Sequence, residues 1–279
     1  MLASFLITFR EALEAALIIG IIAAYVAKID RKDLNRYIYA GIIGAVVAST
    51  GVALVFKLVY GELQGTAEQL FEGGAALAAA VVLTYMIFWM AQNSKQIKGE
   101  VQEKIDLSIS KGQTMGITAL SFIAVFREGV ETVLFLGTLA IHSLFDTLLG
   151  FAAGIVVVVV ISFVMFKGMH SLDISKFFKY TSILLILFSA GLIATAVGEF
   201  NEAGIIPLVV EHVWDINPPQ NLDGSYPLLH EKGLIGSGLS SLIGYHAAPS
   251  LTMVLSYIGY WIIIGLFVYR SFKTPEKVR

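Results

Sequence analysis

Residues 4–20 read SFLITFREALEAALIIG, and residues 121–137 read SFIAVFREGVETVLFLG. Eight of the seventeen aligned positions are identical: Ser4/Ser121, Phe5/Phe122, Phe9/Phe126, Arg10/Arg127, Glu11/Glu128, Glu14/Glu131, Leu17/Leu134 and Gly20/Gly137. The charged residues match at all three positions, where chance agreement between apolar helices is least expected. Each stretch reads as the start of a membrane span, yet each carries an arginine and two glutamates within it.

The surrounding chain supports a membrane setting. Of its 279 residues, 57% are hydrophobic and 14% are charged, against roughly 25% charged in soluble domains. Mean hydropathy is +0.79. Cysteine is absent, which excludes disulfides, thiolate metal sites and thiol catalysis. A net charge of −2 gives no case for nucleic-acid binding. No cleavable signal peptide is expected at the N-terminus; it reads as the start of a retained span.

Apolar runs of about 20 residues, the length that crosses a bilayer, recur seven times. They are placed near Leu2–Ala27, Tyr37–Tyr60, Gln69–Ala91, Thr114–Ile141, Phe145–Gly168, Phe178–Val197 and Ser250–Tyr269. The β-branched run Val156–Ile161 is read as helix, because an open strand leaves its backbone unsatisfied in lipid. With seven spans, fifteen of the nineteen Lys and Arg fall on one side. They are Lys28, Arg31, Lys32 and Arg36; Lys95, Lys98, Lys104 and Lys111; Lys167, Lys176 and Lys179; and Arg270, Lys273, Lys277 and Arg279. That side is expected to be cytoplasmic, with the N-terminus outside and the C-terminus inside. The other side is acidic, with Glu62, Glu68, Glu72, Glu199, Glu202, Glu211, Asp215, Asp223 and Glu231.

The fold class expected is therefore an all-α membrane protein of seven transmembrane helices. The two motif copies begin spans one and four and enter from opposite sides. This predicts an inverted 3+3 repeat plus one extra helix, a plan that places substrate near the midplane in many transporters. The chain reads as a single permease domain, 1–279. Residues 1–91 form the first three-helix repeat, 114–197 the second, 198–249 an outer loop and 250–270 the seventh helix. Within the loop, GLIGSGLSSLIGYHAAPS (233–250) reads as surface-lying or partly re-entrant, and could cap an outer vestibule.

On a helix, residues three or four apart share a face. Arg10 with Glu14, and Arg127 with Glu131, therefore share one. Such charges cost several kcal/mol each in hydrocarbon, and one arginine cannot compensate two carboxylates. Two facing motifs gather four carboxylates and two arginines, and a bound cation would supply the missing positive charge. Carboxylate oxygens suit hard cations. The metal ligands expected are Glu11, Glu14, Glu128 and Glu131, with Arg10 and Arg127 as charge partners. Glu14 and Glu131 are expected to exchange arginine for metal. Glu68 and Glu72, and Glu199 and Glu202, are expected to line an outer access path. His142, His170, His212, His230 and His246 form no helical ligand pair or Glu-x-x-His signature. His212 with Glu211 and Asp215 reads as solvated loop. Met86, Met90, Met165 and Met169 read as packing residues.

The paired REALE (Arg10–Glu14) and REGVE (Arg127–Glu131) helices resemble the high-affinity iron permease family, in which the motif is usually R-E-G-L-E. LFEGGAALAAAVVLTYMIFWM (70–90), FNEAG (200–204) and GYHAAPS (244–250) look similar too, so the resemblance covers residues 1 to about 270. Ala12 and Val130 depart from the usual motif and leave its charges intact. The resemblance implies iron uptake, with the motif glutamates as ligands and iron ions as substrate, not cofactor. It implies no enzyme activity. It also implies a separate extracytoplasmic protein that oxidises or delivers iron. The expected location is multi-pass in a bacterial cytoplasmic membrane, with lipid as the surrounding partner. The alternatives are a proton-coupled carrier of another divalent cation such as manganese, or a membrane-embedded metal or redox subunit.

Overall fold

The computed structural model describes residues 1–93, 97–110, 114–167, 174–221, 225–231 and 233–273. Lys95, Lys111, His170, Met169, Asp223, Lys232, Lys277 and Arg279 lie outside them. Among the described residues the ordered structure is helical, with no strand. The helices are α1 (Leu2–Lys28), α2 (Asn35–Gly61), α3 (Thr66–Asn93), α4 (Ile97–Ser110), α5 (Met115–His142), α6 (Leu144–Lys167), α7 (Ile174–Glu202), α8 (Leu234–Ile243) and α9 (Leu251–Lys273). The long helices fall on the seven apolar runs, within a few residues at their ends. The stretch with Lys98 and Lys104, read as a loop, is the amphipathic helix α4. At ten residues, α8 is too short to cross a bilayer.

Among the described residues, four helical segments are long and apolar enough to cross a membrane: Lys32–Gly61, Thr66–Met90, Leu144–Val164 and Thr181–Glu202. Helices α1 and α5 are as long, at 27 and 28 residues, but each carries the three charges of its motif. The apolar faces of α2 and α6 are open to the surroundings, with Ile43, Val47, Leu54 and Leu58 on one and Val156, Val159 and Phe163 on the other. In water such continuous patches would drive association. In lipid they are the expected exterior. The chain is a multi-pass membrane protein.

The chain divides into two compact units, Met1–Leu63 with Val82–Leu185, and Gln64–Val81 with Ile186–Arg279. Helices α3 and α7 thus contribute one end to each.

In the first unit the main packing partners are α2 with α5 and α1 with α6. Glycine makes both approaches close. A Cβ added at Gly41 would stand 2.8 Å from Ser121 Cβ and 2.9 Å from Phe122 N. One added at Gly150 would stand 2.8 Å from Phe5 N and nearer still to Ser4 Oγ. Ser4 and Ser121 are matched positions of the repeated stretch, and Gly41 and Gly150 are each the seventh residue of their helices. The phenylalanines match as well: Phe5–Phe9 and Phe122–Phe126 stack at 5.9 and 5.2 Å between ring centroids. The C-terminal part of α1 seats Ile22 and Val26 against Leu34, Ile38, Val101, Ile105 and Ile117, so α4 is bound through Val101 and Ile105, an i, i+4 pair. Helix α1 then stops at Asp30, whose φ of 56° is a left-handed conformation that Asp tolerates better than most residues.

In the second unit, Gly73 lets α3 meet α7, since a Cβ there would lie 2.7 Å from the Phe200 ring. Gly191 and Gly244 touch backbone to backbone, with Gly244 at φ 69° ending α8. Asn201 ties three segments together. Its Oδ1 accepts hydrogen bonds from Ser250 Oγ (2.9 Å) and Thr252 Oγ1 (2.7 Å), and its Nδ2 donates to the Ile206 carbonyl (3.0 Å).

Candidate metal site

Midway along α1, Arg10, Glu11 and Glu14 are almost fully buried, at 1, 1 and 3% exposure. Arg10 sits between its two carboxylates, with Nη1 2.7 Å from Glu11 Oε1 and Nη2 2.9 Å from Glu14 Oε1. The geometry follows from helix periodicity: Glu14 lies one turn on, and the long arginine side chain folds back to reach its neighbour. Its Nη1 also contacts the Met86 sulfur on α3, at 3.4 Å.

On α5 the same three residue types are arranged differently. Arg127 is 40% exposed. Its Nη2 lies 2.9 Å from Glu128 Oε1 and 3.9 Å from Glu14 Oε2, and its Nε lies 3.5 Å from Glu131 Oε1. The guanidinium carbon stands 5.3 Å from the centroid of the Trp89 ring. Glu14 therefore lies within 3.9 Å of both arginines, and Glu131, nearer Arg127, is close enough to Arg10 to feel its charge.

The carboxylates of Glu11, Glu128 and Glu131 converge, each offering one oxygen, all three within 4.8 Å of one another. Among the described residues, Glu11 Oε2, Glu14 Oε1, both Glu128 oxygens and Glu131 Oε2 are buried with no hydrogen-bond donor. Arg127 is near enough to Glu128 to offset its charge, but not aligned to hydrogen-bond it. Buried oxygens without a donor are costly, and three converging carboxylates that carry such oxygens are what a hard cation satisfies.

All six motif residues thus lie in the first unit, gathered around one place. The expected exchange pair was Glu14 and Glu131. Glu131 is in the convergent group with Glu11 and Glu128, and Glu14 lies beside it between Arg10 at 2.9 Å and Arg127 at 3.9 Å. The partners missed from sequence are Met86 and Trp89. They sit three residues apart on one face of α3, a spacing visible in sequence but uninformative in an apolar helix.

The four expected access-path glutamates lie in the second unit. Glu199 is in hydrogen-bonding contact with Glu72 and close enough to Glu202 and Glu68 to feel their charge. Gln69 Nε2 donates to Glu202 Oε2 at 3.4 Å. His212 Nδ1 lies 3.1 Å from the Ala248 carbonyl oxygen, and Asp215 accepts from the Asn217 backbone. In the same unit His246 Nδ1 bonds Glu231 at 3.0 Å, which holds that carboxyl below its ordinary range despite partial burial.

Residues 1–274 match the iron permease FTR1 family. An uncharacterized protein of Archaeoglobus fulgidus is 34% identical over 276 residues, 98% of this chain and 96% of its own. The ferrous iron permease EfeU of Yersinia pestis is 33% identical over 265 residues, covering 94% and 91%. The protein of that name from Escherichia coli O6:H1 is 32% identical over 282 residues, covering 99% and 97%. No solved structure matches the chain.

Proposed function

Because this chain belongs to the iron permease FTR1 family, we propose that it carries iron across the cytoplasmic membrane, binding the ion at Glu11, Glu128 and Glu131. The observation that carries the reading is the convergence of three carboxylates within 4.8 Å, each with a buried oxygen lacking a donor. That the EfeU relatives are ferrous iron permeases by name favours Fe²⁺ as the transported species. Glu14 holds the arginines as the ion comes and goes, and the protein acts as a transporter rather than an enzyme.

The proposed topology has seven spans, N-terminus outside, built as an inverted repeat of 1–91 and 114–197 with α9 added. Its support is the matched charge motif and the reciprocal approaches of Gly41 to Ser121 and Gly150 to Ser4. Glu68, Glu72, Glu199 and Glu202 form a second acidic station that the ion visits from outside, supplied by an iron-delivering protein.

The test is radio-iron uptake into proteoliposomes, with manganese and zinc as competitors. Glu11→Gln, Glu128→Gln and Glu131→Gln keep shape and remove charge, and each is expected to lower uptake at least tenfold with folded protein retained. Wild-type uptake in all three would show that iron binds elsewhere.

A further inference from the structure

One turn of α3 touches both motif arginines. Met86 is 4% exposed, and its sulfur meets Arg10 Nη1 at 3.4 Å. Trp89, three residues on and so on the same face, presents its ring 5.3 Å from the Arg127 guanidinium carbon. Both contacts are to groups that attract positive charge without carrying a negative one: a polarisable thioether and an aromatic face. We propose that Met86 and Trp89 are positioning residues that hold Arg10 and Arg127 as the carboxylates pass from arginine to metal.

The argument rests on the metal-site reading above. A cation binding Glu11, Glu128 and Glu131 competes with the guanidiniums for the same oxygens. Arg10, at 1% exposure, has no water to retreat to. A carboxylate in place of Met86 would relieve it but would also bind the metal. A purely aliphatic side chain would leave the guanidinium no partner but the carboxylates. Sulfur and ring lie between these extremes. They stabilise an arginine that has loosened from its glutamates and do not themselves take a hard cation. The two arginines also differ. Arg127 is 40% exposed, so Trp89 covers only part of its guanidinium, whereas Met86 helps to enclose Arg10 fully.

The experiment is equilibrium binding of radioactive Fe²⁺ to the full chain in nanodiscs, without oxygen. Trp89→Leu is expected to weaken binding about three- to tenfold, the range of a partly exposed cation–ring contact, and Trp89→Phe to fall between it and wild type. In an Arg127→Gln background Trp89→Leu should change binding less than about twofold, since a residue acting through Arg127 has nothing left to act on. Met86→Leu keeps the volume and should weaken binding about two- to threefold. An undiminished Trp89→Leu effect in the Arg127→Gln background would overturn the proposal, as would equal binding by the Phe and Leu variants. If Trp89→Leu yields no folded protein, Trp89→Phe and Met86→Leu carry the test, and wild-type affinity in both overturns it. Glu131→Gln serves as the control: retained binding there refutes the metal site itself, whereas its loss with unchanged α3 variants refutes only the role of α3.

Discussion

Arg10 and Arg127 occupy the same motif position, yet Arg10→Gln and Arg127→Gln should have very different consequences. Arg10 places two nitrogens 2.7 and 2.9 Å from two carboxylates at 1% exposure. At an effective dielectric of 20 each contact is worth about 6 kcal/mol before desolvation. Breaking a buried pair by removing one partner typically costs about 3–5 kcal/mol net, since the stranded charge stays buried. For a chain of this size that corresponds to roughly 6–20 °C in melting temperature, and to a large share of a stability of about 5–15 kcal/mol. Arg127 is 40% exposed and is not aligned to hydrogen-bond Glu128, so removing it loses less and should cost under about half as much. The assay is a thermal scan of detergent-solubilised protein with its monodisperse yield. Adding Glu11→Gln and Glu14→Gln to Arg10→Gln should restore part of the loss, because no charge is then stranded. Equal melting shifts for the two arginine variants, or no rescue, would refute the reasoning from burial.

Two other expectations follow from packing and from the loop. Gly41→Val and Gly150→Val should each reduce folded yield severely, because the new side chain meets backbone of the facing helix; Gly74→Val, whose Cβ meets nothing within 4 Å, should be tolerated in the same yield assay. The Glu231–His246 contact holds the Glu231 carboxyl below its ordinary value of about 4.5. A depressed folded value means stabilisation that is present above about pH 4.5 and lost as pH falls through the lower folded value. Limited proteolysis of the 203–250 loop should therefore accelerate on acidification below that point in wild type, and show a smaller pH step in Glu231→Gln.

Sequence exposed the membrane class and the helix positions because both are written in hydropathy over windows of about 20 residues. It exposed the six charged residues because charge inside such a window is conspicuous. What it could not expose was the difference between the two copies. Whether Glu11 or Glu14 joins Glu128 and Glu131 depends on the rotation of α1 about its axis. That rotation is fixed by contacts such as Ser4 with Gly150 and Thr8 with Gly154, and small residues in apolar helices carry no periodic signal. Met86 and Trp89 were hidden for the same reason. Helix α4 was hidden by its mixed charges, although Val101 and Ile105 at i, i+4 mark its buried side.

The meeting of two equivalent motifs has an electrostatic logic. Four carboxylates and two guanidiniums carry a formal charge of −2 when ionised, in a setting where each uncompensated charge costs several kcal/mol. If the two motifs lay apart, the excess would be spread over two separate places. Instead each arginine stays with its own glutamates, Arg10 nearest Glu11 at 2.7 Å and Arg127 nearest Glu128 at 2.9 Å, Glu14 reaches across toward Arg127, and Glu11, Glu128 and Glu131 bring carboxylates of both copies within 4.8 Å. A doubly charged ion there brings the six-residue set to neutrality, and a triply charged one overshoots it by one. The meeting of the two copies thus turns the surplus charge of each into one site matched to a dication.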